Sequence, residues 1–326
     1  MKVIIPVAGI GTRLRPLTHT APKVLLHVAG KPILAHVLEG LKGLKIDEVI
    51  FVIGFMGEKI IDYVKKNYRF KSTFIKQKEL KGVGYAVHIA ARRVTKGEPV
   101  LIILGDTVFK MDLKPVIKGS YDSLGIKEVD NPGRFGVVKL KYGFATELIE
   151  KPDKPISNKA LVGVYYIKSS QLLKTALQEI LRKDIRTRGE YQLTDALQLM
   201  INKGIKFSTF DISGWFDCGK PETLLDTNRH LLSLVKKTRQ IKGSVIVPPV
   251  FIPRSCRIEN SIIGPNVSVG KNAFIHNSVI KNSILGEKSE VSFCLLDSSL
   301  VGNNSQVLGK FQRLNLGDSS EIGIYM

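Results

Sequence analysis

The chain has 326 residues, and 49 Lys+Arg against 29 Asp+Glu give it a formal net charge of +20. Its content of 44% hydrophobic and 24% charged residues is close to the soluble globular average, which excludes a disordered, collagen-like or coiled-coil chain. The length favours two domains at roughly 150 residues each, and no apolar run approaches the roughly 18 residues of a membrane span.

The first part of the chain alternates strand and helix patterns. Short apolar runs predict strands at 2–7, 48–53, 73–76 and 100–104, and helical spacing predicts helices at 32–44, 59–67 and 83–94. This order predicts an α/β fold, a Rossmann-like, mostly parallel mixed sheet with helices on both faces. Ligands bind at the carboxyl ends of strands in such sheets, so the loops after Val7 and Leu104 are candidate sites.

Residues 122–167 are rich in strand patterns, and three further helices are predicted at 170–182, 192–201 and 221–235. The run KKTRQIK at 236–242 is basic and ends at Gly243, which is typical of a solvated linker. The pattern predicts a first domain over 1–235, a linker over 236–243 and a second domain over 244–326.

The second domain has a different composition and a hexapeptide period. Aliphatic residues recur every six positions at Ile246, Ile252 and Ile258, at Ile263, Val269 and Ile275, and at Leu285 and Val291. This period resembles that of the left-handed parallel β-helix of hexapeptide-repeat proteins, with three short strands per turn and the five-residue steps at corners. An ordinary β-sandwich is the alternative. An uncapped β-helix coil favours self-association, so a homo-oligomer through this domain is expected.

The cysteines, the histidines and the amino terminus carry little signal. Three cysteines without a CxxC argue against a disulfide framework or a zinc site, and the histidines share no metal-ligand spacing. The apolar start breaks into Gly-Thr-Arg with no small-residue cleavage site, so we expect a cytoplasmic protein without a signal peptide and without membrane attachment.

The loop after the first strand is the strongest motif. It follows a buried strand, and its two glycines, Gly9 and Gly11, free backbone amides to wrap phosphates. It is neither a dinucleotide fingerprint, because Leu14 stands where a third Gly would fall, nor a Walker A loop. The run from Gly9 to Val28, GIGTRLRPLTHTAPKVLLHV, resembles the sugar nucleotidyltransferase signature GxGTRLxPLTxxxPKxLLPV and departs from it only at His27.

This resemblance extends to about residue 235 and implies the reaction of a nucleoside triphosphate with a sugar 1-phosphate, which gives a nucleotide sugar and pyrophosphate. It assigns the nucleotide to the loop and implies that Arg13, Lys23 and Asp106 are catalytic. The loop residues that it implies for nucleotide binding are Ala8, Gly9, Gly11, Thr12 and Arg13. For Arg15 a phosphate contact and a solvated role both stay open.

Three further segments match the family. The segment QKELKGVGYA resembles the nucleobase segment and implies base contacts for Gln77 and Gly82 in a form associated with uridylyl-type members. The Leu-Gly-Asp of Asp106 and the WFDCG string of Asp217 match the two aspartates that bind Mg²⁺ in the family. Sugar-phosphate contacts are implied for Gly136, Glu150, Lys151, Gly163 and Glu190.

The resemblance favours UTP or dTTP with a hexose 1-phosphate, glucose 1-phosphate foremost. The alternatives are an inactive regulatory relative and a bifunctional enzyme with acyl transfer on the β-helix, where His276 is the one histidine.

The net positive charge is distributed unevenly along the chain, and this distribution helps to decide which partner it indicates. Residues from Ser244 onward hold 7 basic and 6 acidic residues, so 42 basic and 23 acidic residues, a net charge of +19, precede them. The chain has neither aromatic–basic interleaving nor a known nucleic-acid module, so no nucleic-acid partner is expected. Small anionic substrates are consistent with the charge.

Overall fold

The structure is a computed structural model and describes residues 1–235 and 238–310. Its contacts divide the chain into two compact units, Met1–Thr227 and Asn228–Met326, which are described separately. The predicted boundary at residue 235 stays a prediction. Residues 236 and 237 of the predicted linker and residues 311–326 of the predicted second domain lie outside the described residues. No helix in the described ranges is both long and apolar enough to cross a membrane.

The first unit is built on one large sheet. Its strands are β1 (Lys2–Val7), β2 (His27–Val28), β3 (Lys31–Pro32), β4 (Glu48–Ile53), β5 (Ser72–Lys76), β6 (Val100–Ile103), β7 (Thr107–Lys110), β8 (Asp122–Glu128), β9 (Gly136–Lys141), β10 (Phe144–Glu150), β11 (Lys159–Ile167), β12 (Phe207–Asp211) and β13 (Gly214–Asp217). Nine of them form a sheet in the order β5-β4-β1-β6-β11-β8-β12-β10-β9. The pairings β5–β4, β4–β1 and β1–β6 are parallel, whereas β11 is antiparallel to both of its main neighbours. The predicted mixed α/β sheet is confirmed.

Helices cover both faces of this sheet. The chain has helices α1 (Ile33–Glu39), α2 (Gly57–Asn67), α3 (Val83–Ala91), α4 (Lys114–Lys118), α5 (Ser170–Arg182), α6 (Leu193–Asn202) and α7 (Pro221–Ser233), and 3-10 turns at Thr12–Leu14, Leu17–His19, Lys23–Leu25 and Pro132–Arg134. Strand β1 sends Ile4 into one hydrophobic cluster and Val3 and Ile5 into the other. Because both faces are buried, the central strands are apolar at nearly every position.

Helix α1 is shorter than the predicted helix over 32–44. It ends at Glu39, and a Cβ atom on the next residue, Gly40, would lie 2.6 Å from the ring of Phe109. Gly43 then takes a left-handed φ of 79°. The two glycines therefore let the chain turn where β7 packs closely against the helix.

The second unit is a stack of short parallel strands. They are β14 (Val245–Ile246), β15 (Val250–Phe251), β16 (Arg257–Glu259), β17 (Ile262–Ile263), β18 (Val267–Val269), β19 (Phe274–His276), β20 (Val279–Lys281), β21 (Ile284–Leu285), β22 (Glu290–Ser292), β23 (Leu295–Asp297), β24 (Leu300–Val301) and β25 (Gln306–Leu308). They form three four-stranded sheets, β14-β17-β20-β23, β15-β18-β21-β24 and β16-β19-β22-β25. This is the predicted hexapeptide β-helix, with one strand of each sheet per turn.

The corners of the β-helix explain the five-residue steps. Asn260 and Asn277 follow strands β16 and β19 with left-handed φ values of 45° and 46°, a conformation that Asn tolerates better than most residues. The next residue is a serine whose hydroxyl accepts a backbone N–H from the following coil. Ser261 Oγ accepts from Ser278 N and Ser278 Oγ accepts from Cys294 N, both at 3.1 Å. Small polar residues therefore recur because the turns need them.

We expect Ser278→Ala to destabilise the β-helix, because it leaves the buried amide of Cys294 without its acceptor. The expected loss is about 1–3 kcal/mol in the free energy of unfolding, measured by chemical denaturation of the full chain. The matched control is Ser292→Ala, at an outward position of β22, which should change that free energy by less than about 0.5 kcal/mol. Equal losses in the two variants would contradict this role of the Ser278 hydroxyl.

Candidate active site

Two adjoining cavities lie in the first unit. The first cavity has a volume of about 400 Å³ and the second about 500 Å³. Residues that line both include Gly9, Gly11, Thr12, Lys23 and Asp106, so the cavities meet between the loop after β1 and the loop after β6. This is the edge of the sheet where the parallel strands end.

All the residues predicted for the site line these cavities. Ala8, Gln77 and Gly82 line the first cavity, Gly9, Gly11, Thr12, Lys23, Asp106 and Glu190 line both, and Arg13, Gly136, Glu150, Lys151, Gly163 and Asp217 line the second. The structure therefore brings together segments that are far apart in the sequence. The role of each residue stays a prediction.

The loop after β1 is shaped by Gly11. Its φ is 72°, and a Cβ atom there would lie 2.9 Å from Cβ of Lys23. The carbonyl of Gly11 accepts hydrogen bonds from the Leu14 amide at 2.9 Å and from Thr18 Oγ1 at 2.8 Å. Glycine is needed because the loop turns in a left-handed conformation directly against Lys23.

An ion pair stands where the two cavities meet. The ammonium group of Lys23 donates a hydrogen bond to the carboxylate of Asp106. Burial of Lys23 opposes its charged form, but the Asp106 carboxylate outweighs this effect and the pKa of Lys23 is raised. Burial likewise opposes ionised Asp106, and Lys23 reverses the effect, so the pKa of Asp106 lies below its usual value. Both groups are charged at neutral pH.

Asp217 is brought to Asp106 by a small second sheet. Strands β7 and β13 pair antiparallel with Thr107 opposite Asp217, and the amide of Cys218 donates to the Asp106 carbonyl at 3.2 Å. Burial and then the negative charge of Asp106 raise the pKa of Asp217. The two carboxylates, Asp106 and Asp217, therefore favour a positive charge beside them.

This pair of carboxylates fits a hard divalent cation. Mg²⁺ is commonly held by one or two protein carboxylates together with phosphate oxygens and water. Within residues 1–235 and 238–310 no group of three or more His, Cys, Asp and Glu side chains forms a metal cluster. The two aspartates alone therefore match a site in which the substrate phosphates supply further ligands.

Gln77 and Gly82 frame the first cavity. The Gln77 side chain is buried, and its Nε2 donates to the Glu79 carbonyl at 3.0 Å. Gly82 has a φ of 96°, and a Cβ atom there would lie 2.6 Å from the Tyr191 carbonyl oxygen. Helix α3 can begin at this point only because the residue before it has no side chain.

Strand β10 ends at Glu150, and Lys151 follows it beside the second cavity. Oε2 of Glu150 accepts a hydrogen bond from Thr194 Oγ1 at 2.7 Å, and Oε1 lies 3.5 Å from the ammonium group of Lys151. Lys151 has a left-handed φ of 43°, which is uncommon for a residue other than glycine. Its amide donates to the Phe135 carbonyl at 3.0 Å.

Arg188 also holds the turn of Lys151. Its Nη2 donates to the Lys151 carbonyl at 2.9 Å and to the Asp153 carboxylate at 2.7 Å. Thr187 and Glu190 pair through their backbones in the same loop, and Glu190 lines both cavities. The loop before α6 and the loop after β10 are therefore fastened together.

Gly136 and Gly163 leave space in the second cavity. A Cβ atom on Gly136 would lie 2.9 Å from Oε2 of Glu150, and one on Gly163 would lie 2.8 Å from the Leu104 side chain. Gly163 also has a φ of 76° and lies at a register shift between β11 and β8. Side chains at these positions would displace the residues that surround the cavity.

Some residues of the second cavity were absent from the sequence prediction. Among them are Arg134, Tyr165 and Gln192. Each lies within two residues of a predicted position, so proximity to the matched strings is the signal that could have found them. Arg15 is exposed and does not line either cavity.

Cys218 and His276 have no assigned role in the candidate site. Cys218 is buried, and burial raises the pKa of its thiol to about 12, so it carries no thiolate at neutral pH. In the second unit the ring of His276 stacks on Phe274 at 6.1 Å and meets the edge of Phe293 at 5.3 Å. These contacts fit aromatic packing.

The comparisons with known proteins agree with this site. The nucleotidyl transferase family matches residues 2–233, and the GlmU-like C-terminal hexapeptide family matches residues 233–293. The chain therefore belongs to the nucleotidyl transferases and carries a hexapeptide-repeat domain after the family's fold. Its relatives place it among the sugar nucleotidyltransferases.

Two curated relatives differ in their named activity and in how much of their length this chain covers. The bifunctional protein GlmU of Methanocaldococcus jannaschii is 38% identical over 250 residues, which cover 75% of this chain and 57% of GlmU. The UTP–glucose-1-phosphate uridylyltransferase AglF of Haloferax volcanii is 34% identical over 241 residues, which cover 71% of this chain and 96% of AglF. The chain thus spans less than two thirds of the length of GlmU and nearly all of AglF.

Solved structures share the fold. A Bacillus anthracis protein described as a glucose-1-phosphate thymidylyltransferase matches with a TM-score of 0.61 and 27% identity, covering 73% of this chain and 98% of that one. A UDP-glucose pyrophosphorylase matches with a TM-score of 0.60 and 23% identity, and the match covers 71% of this chain and 98% of that one. At this identity the likeness shows a shared fold only.

We expect Gly82→Ala to weaken binding of a nucleoside triphosphate, because the new Cβ would overlap the Tyr191 carbonyl. Relief of the overlap should displace the turn that lines the first cavity at a cost of about 1–3 kcal/mol in binding. The dissociation constant should therefore rise by roughly fivefold to 100-fold in calorimetric titration. The matched control is Gly97→Ala, which has a similar φ of 79° but no heavy atom within 4 Å. An unchanged constant for Gly82→Ala would place the nucleotide elsewhere.

Proposed function

We propose that the protein transfers a nucleotidyl group from UTP or dTTP to a hexose 1-phosphate, with glucose 1-phosphate as the leading acceptor. The observation that carries the proposal is the junction of two cavities at Lys23 and Asp106. A phosphate oxygen of the sugar phosphate attacks the α-phosphorus of the triphosphate. The bond from that phosphorus to the bridging oxygen breaks, and pyrophosphate leaves.

The residues of the first cavity bind the triphosphate. The amides of the loop at Gly9, Gly11 and Thr12 surround the phosphates, and Arg13 adds a positive charge to them from the second cavity. Lys23 neutralises charge at the reacting centre. Positioning and charge neutralisation do most of the catalytic work in phosphoryl-type transfer, since the protein forms no covalent bond. A preformed ion pair supports this role because its charges need no reorganisation during the reaction.

The residues of the second cavity bind the sugar phosphate. Lys151 neutralises its phosphate, and Glu150 accepts hydrogen bonds from sugar hydroxyls. Two contacts support these roles, namely the Thr194 hydrogen bond that orients Glu150 and the Arg188 contacts that hold the turn of Lys151. Gly136 and Gly163 keep the space that a sugar ring needs.

Asp106 and Asp217 would hold Mg²⁺. When bound, this ion supplies positive charge that offsets the phosphate charge of both substrates. The neighbouring carboxylates and the raised pKa of Asp217 support an affinity for a cation at this point.

The orientation of Gln77 supports a uracil or thymine base. With Nε2 donating to Glu79, the side-chain oxygen is left to accept a hydrogen bond in the first cavity. Uracil and thymine carry a ring N–H that can donate to it, whereas cytosine has an acceptor at the same ring position. The name of the relative AglF supports UTP with glucose 1-phosphate, and that of the Bacillus anthracis protein supports a thymidylyl donor.

The direct test is release of pyrophosphate with identification of the nucleotide sugar. A panel of UTP, dTTP, CTP, ATP and GTP is combined with glucose, galactose, mannose and N-acetylglucosamine 1-phosphates at fixed Mg²⁺. We expect the highest kcat/KM for UTP or dTTP with glucose 1-phosphate. An absence of turnover with every pair would overturn the proposal.

Asp217→Asn should lower kcat/KM for the preferred pair by roughly 100-fold, because it removes one of the two charges proposed to hold Mg²⁺. It should also raise the Mg²⁺ concentration needed for half-maximal rate. The matched control is Asp211→Asn, at an exposed position of β12, which should keep the rate within twofold. A Mg²⁺ dependence equal to that of the unaltered protein would remove Asp217 from the proposed metal site.

A further inference from the structure

Thr18 is a buried residue next to the loop after β1. It stands in the short 3-10 turn Leu17–His19, it is 1% exposed, and it lines neither of the two cavities. Its Oγ1 donates a hydrogen bond to the carbonyl oxygen of Gly11 at 2.8 Å. The Thr18 hydroxyl therefore contacts the loop of the candidate site from a buried position.

This hydrogen bond is not the usual local one. A threonine in a helical turn commonly donates its hydroxyl to the carbonyl three or four residues earlier. For Thr18 those carbonyls belong to Arg15 and Leu14, but its hydroxyl donates to Gly11, which lies seven residues earlier. The bond therefore fastens the turn of Thr18 to the loop after β1.

The Gly11 carbonyl is held by two donors. It also accepts a hydrogen bond from the Leu14 amide at 2.9 Å, which closes the turn that follows the loop. Gly11 has a left-handed φ of 72°, and a Cβ atom there would lie 3.2 Å from Cγ2 of Thr18. The hydroxyl and the methyl group of Thr18 therefore both lie against Gly11.

The carbonyl of Gly11 and the amide of Thr12 belong to one peptide unit. This peptide bond is trans and planar, so its C=O and N–H point in opposite directions. Because Thr18 holds the oxygen, the Thr12 N–H points away from Thr18. Thr12 lines both cavities and Thr18 lines neither, which directs this N–H toward the cavities. Within residues 1–235 and 238–310 the Thr12 amide donates to no other residue, so it is available to a ligand.

We propose that Thr18 is a positioning residue for the nucleoside triphosphate. Its hydroxyl orients the Gly11–Thr12 peptide so that the Thr12 amide donates to a phosphate oxygen, while Thr18 itself does not touch the substrate. Without the hydroxyl, only the Leu14 amide restrains this carbonyl, and the glycine leaves the peptide free to rotate. The inference rests on the proposed function for the identity of the ligand.

The test is the dissociation constant of UTP and of dTTP, measured by calorimetry on the full chain and its Thr18 variants. Thr18→Val keeps the shape of the side chain and removes the donor. We expect it to raise the dissociation constant of the preferred triphosphate by roughly 5- to 50-fold, because a hydrogen bond to a charged phosphate oxygen is weakened.

Two smaller variants separate the hydroxyl from the packing. Thr18→Ser keeps the hydroxyl and loses the methyl group, so its dissociation constant should stay within threefold of that of the unaltered protein. Thr18→Cys has nearly the same shape as the serine variant but only a weak donor, so its binding should remain weakened. Thermal unfolding shows which variants are folded, and the serine and cysteine variants carry the comparison if Thr18→Val does not fold.

Each outcome of this test decides something. A folded Thr18→Val with the dissociation constant of the unaltered protein would overturn the proposal, and so would a Thr18→Ser weakened as much as Thr18→Cys. An unaltered protein that binds neither triphosphate would overturn both this inference and the proposed function. A protein that binds a triphosphate but releases no pyrophosphate with any sugar 1-phosphate would contradict the proposed function alone, because the effect of Thr18 is measured without turnover.

Discussion

The Lys23–Asp106 ion pair is the interaction on which the candidate site depends. It joins the loop after β1 to the loop after β6, so it stands where the two cavities meet. Each partner is partly buried, and each would resist ionisation without the other. The pair therefore keeps opposite charges in place before any substrate arrives. That arrangement suits a reaction in which two polyanions must approach each other.

The architecture around the pair follows from the backbone. Strands β1, β4, β5 and β6 run parallel, so their carboxyl ends bring two distant loops to one edge of the sheet. The small sheet of β7 and β13 then adds Asp217 from more than a hundred residues further along the chain. Residues 1–243 carry a net charge of +19, and the residues from Ser244 onward contribute little to the total.

Much of this could be predicted from the sequence, for identifiable physical reasons. Apolar strands, helical spacing and the hexapeptide period are local signals, so both architectures were predictable. The Gly9–Val28 string is long enough to identify a family by itself. The sheet of β7 and β13 was not predicted, because TVFK and GWFD each hold only two consecutive apolar residues and no clear alternation. The contacts of Arg188 could not be predicted, since its long side chain joins two loops that are far apart in the sequence.

We propose that the positive charge of Lys23 neutralises phosphate charge at the reacting centre, where both substrates meet. The most direct measurement is kcat for pyrophosphate release by Lys23→Gln, compared with the dissociation constants of each substrate measured separately. We expect kcat to fall by roughly 100-fold or more, and by a larger factor than either dissociation constant rises, in a protein of unchanged thermal stability. A kcat within threefold of that of the unaltered protein would contradict it.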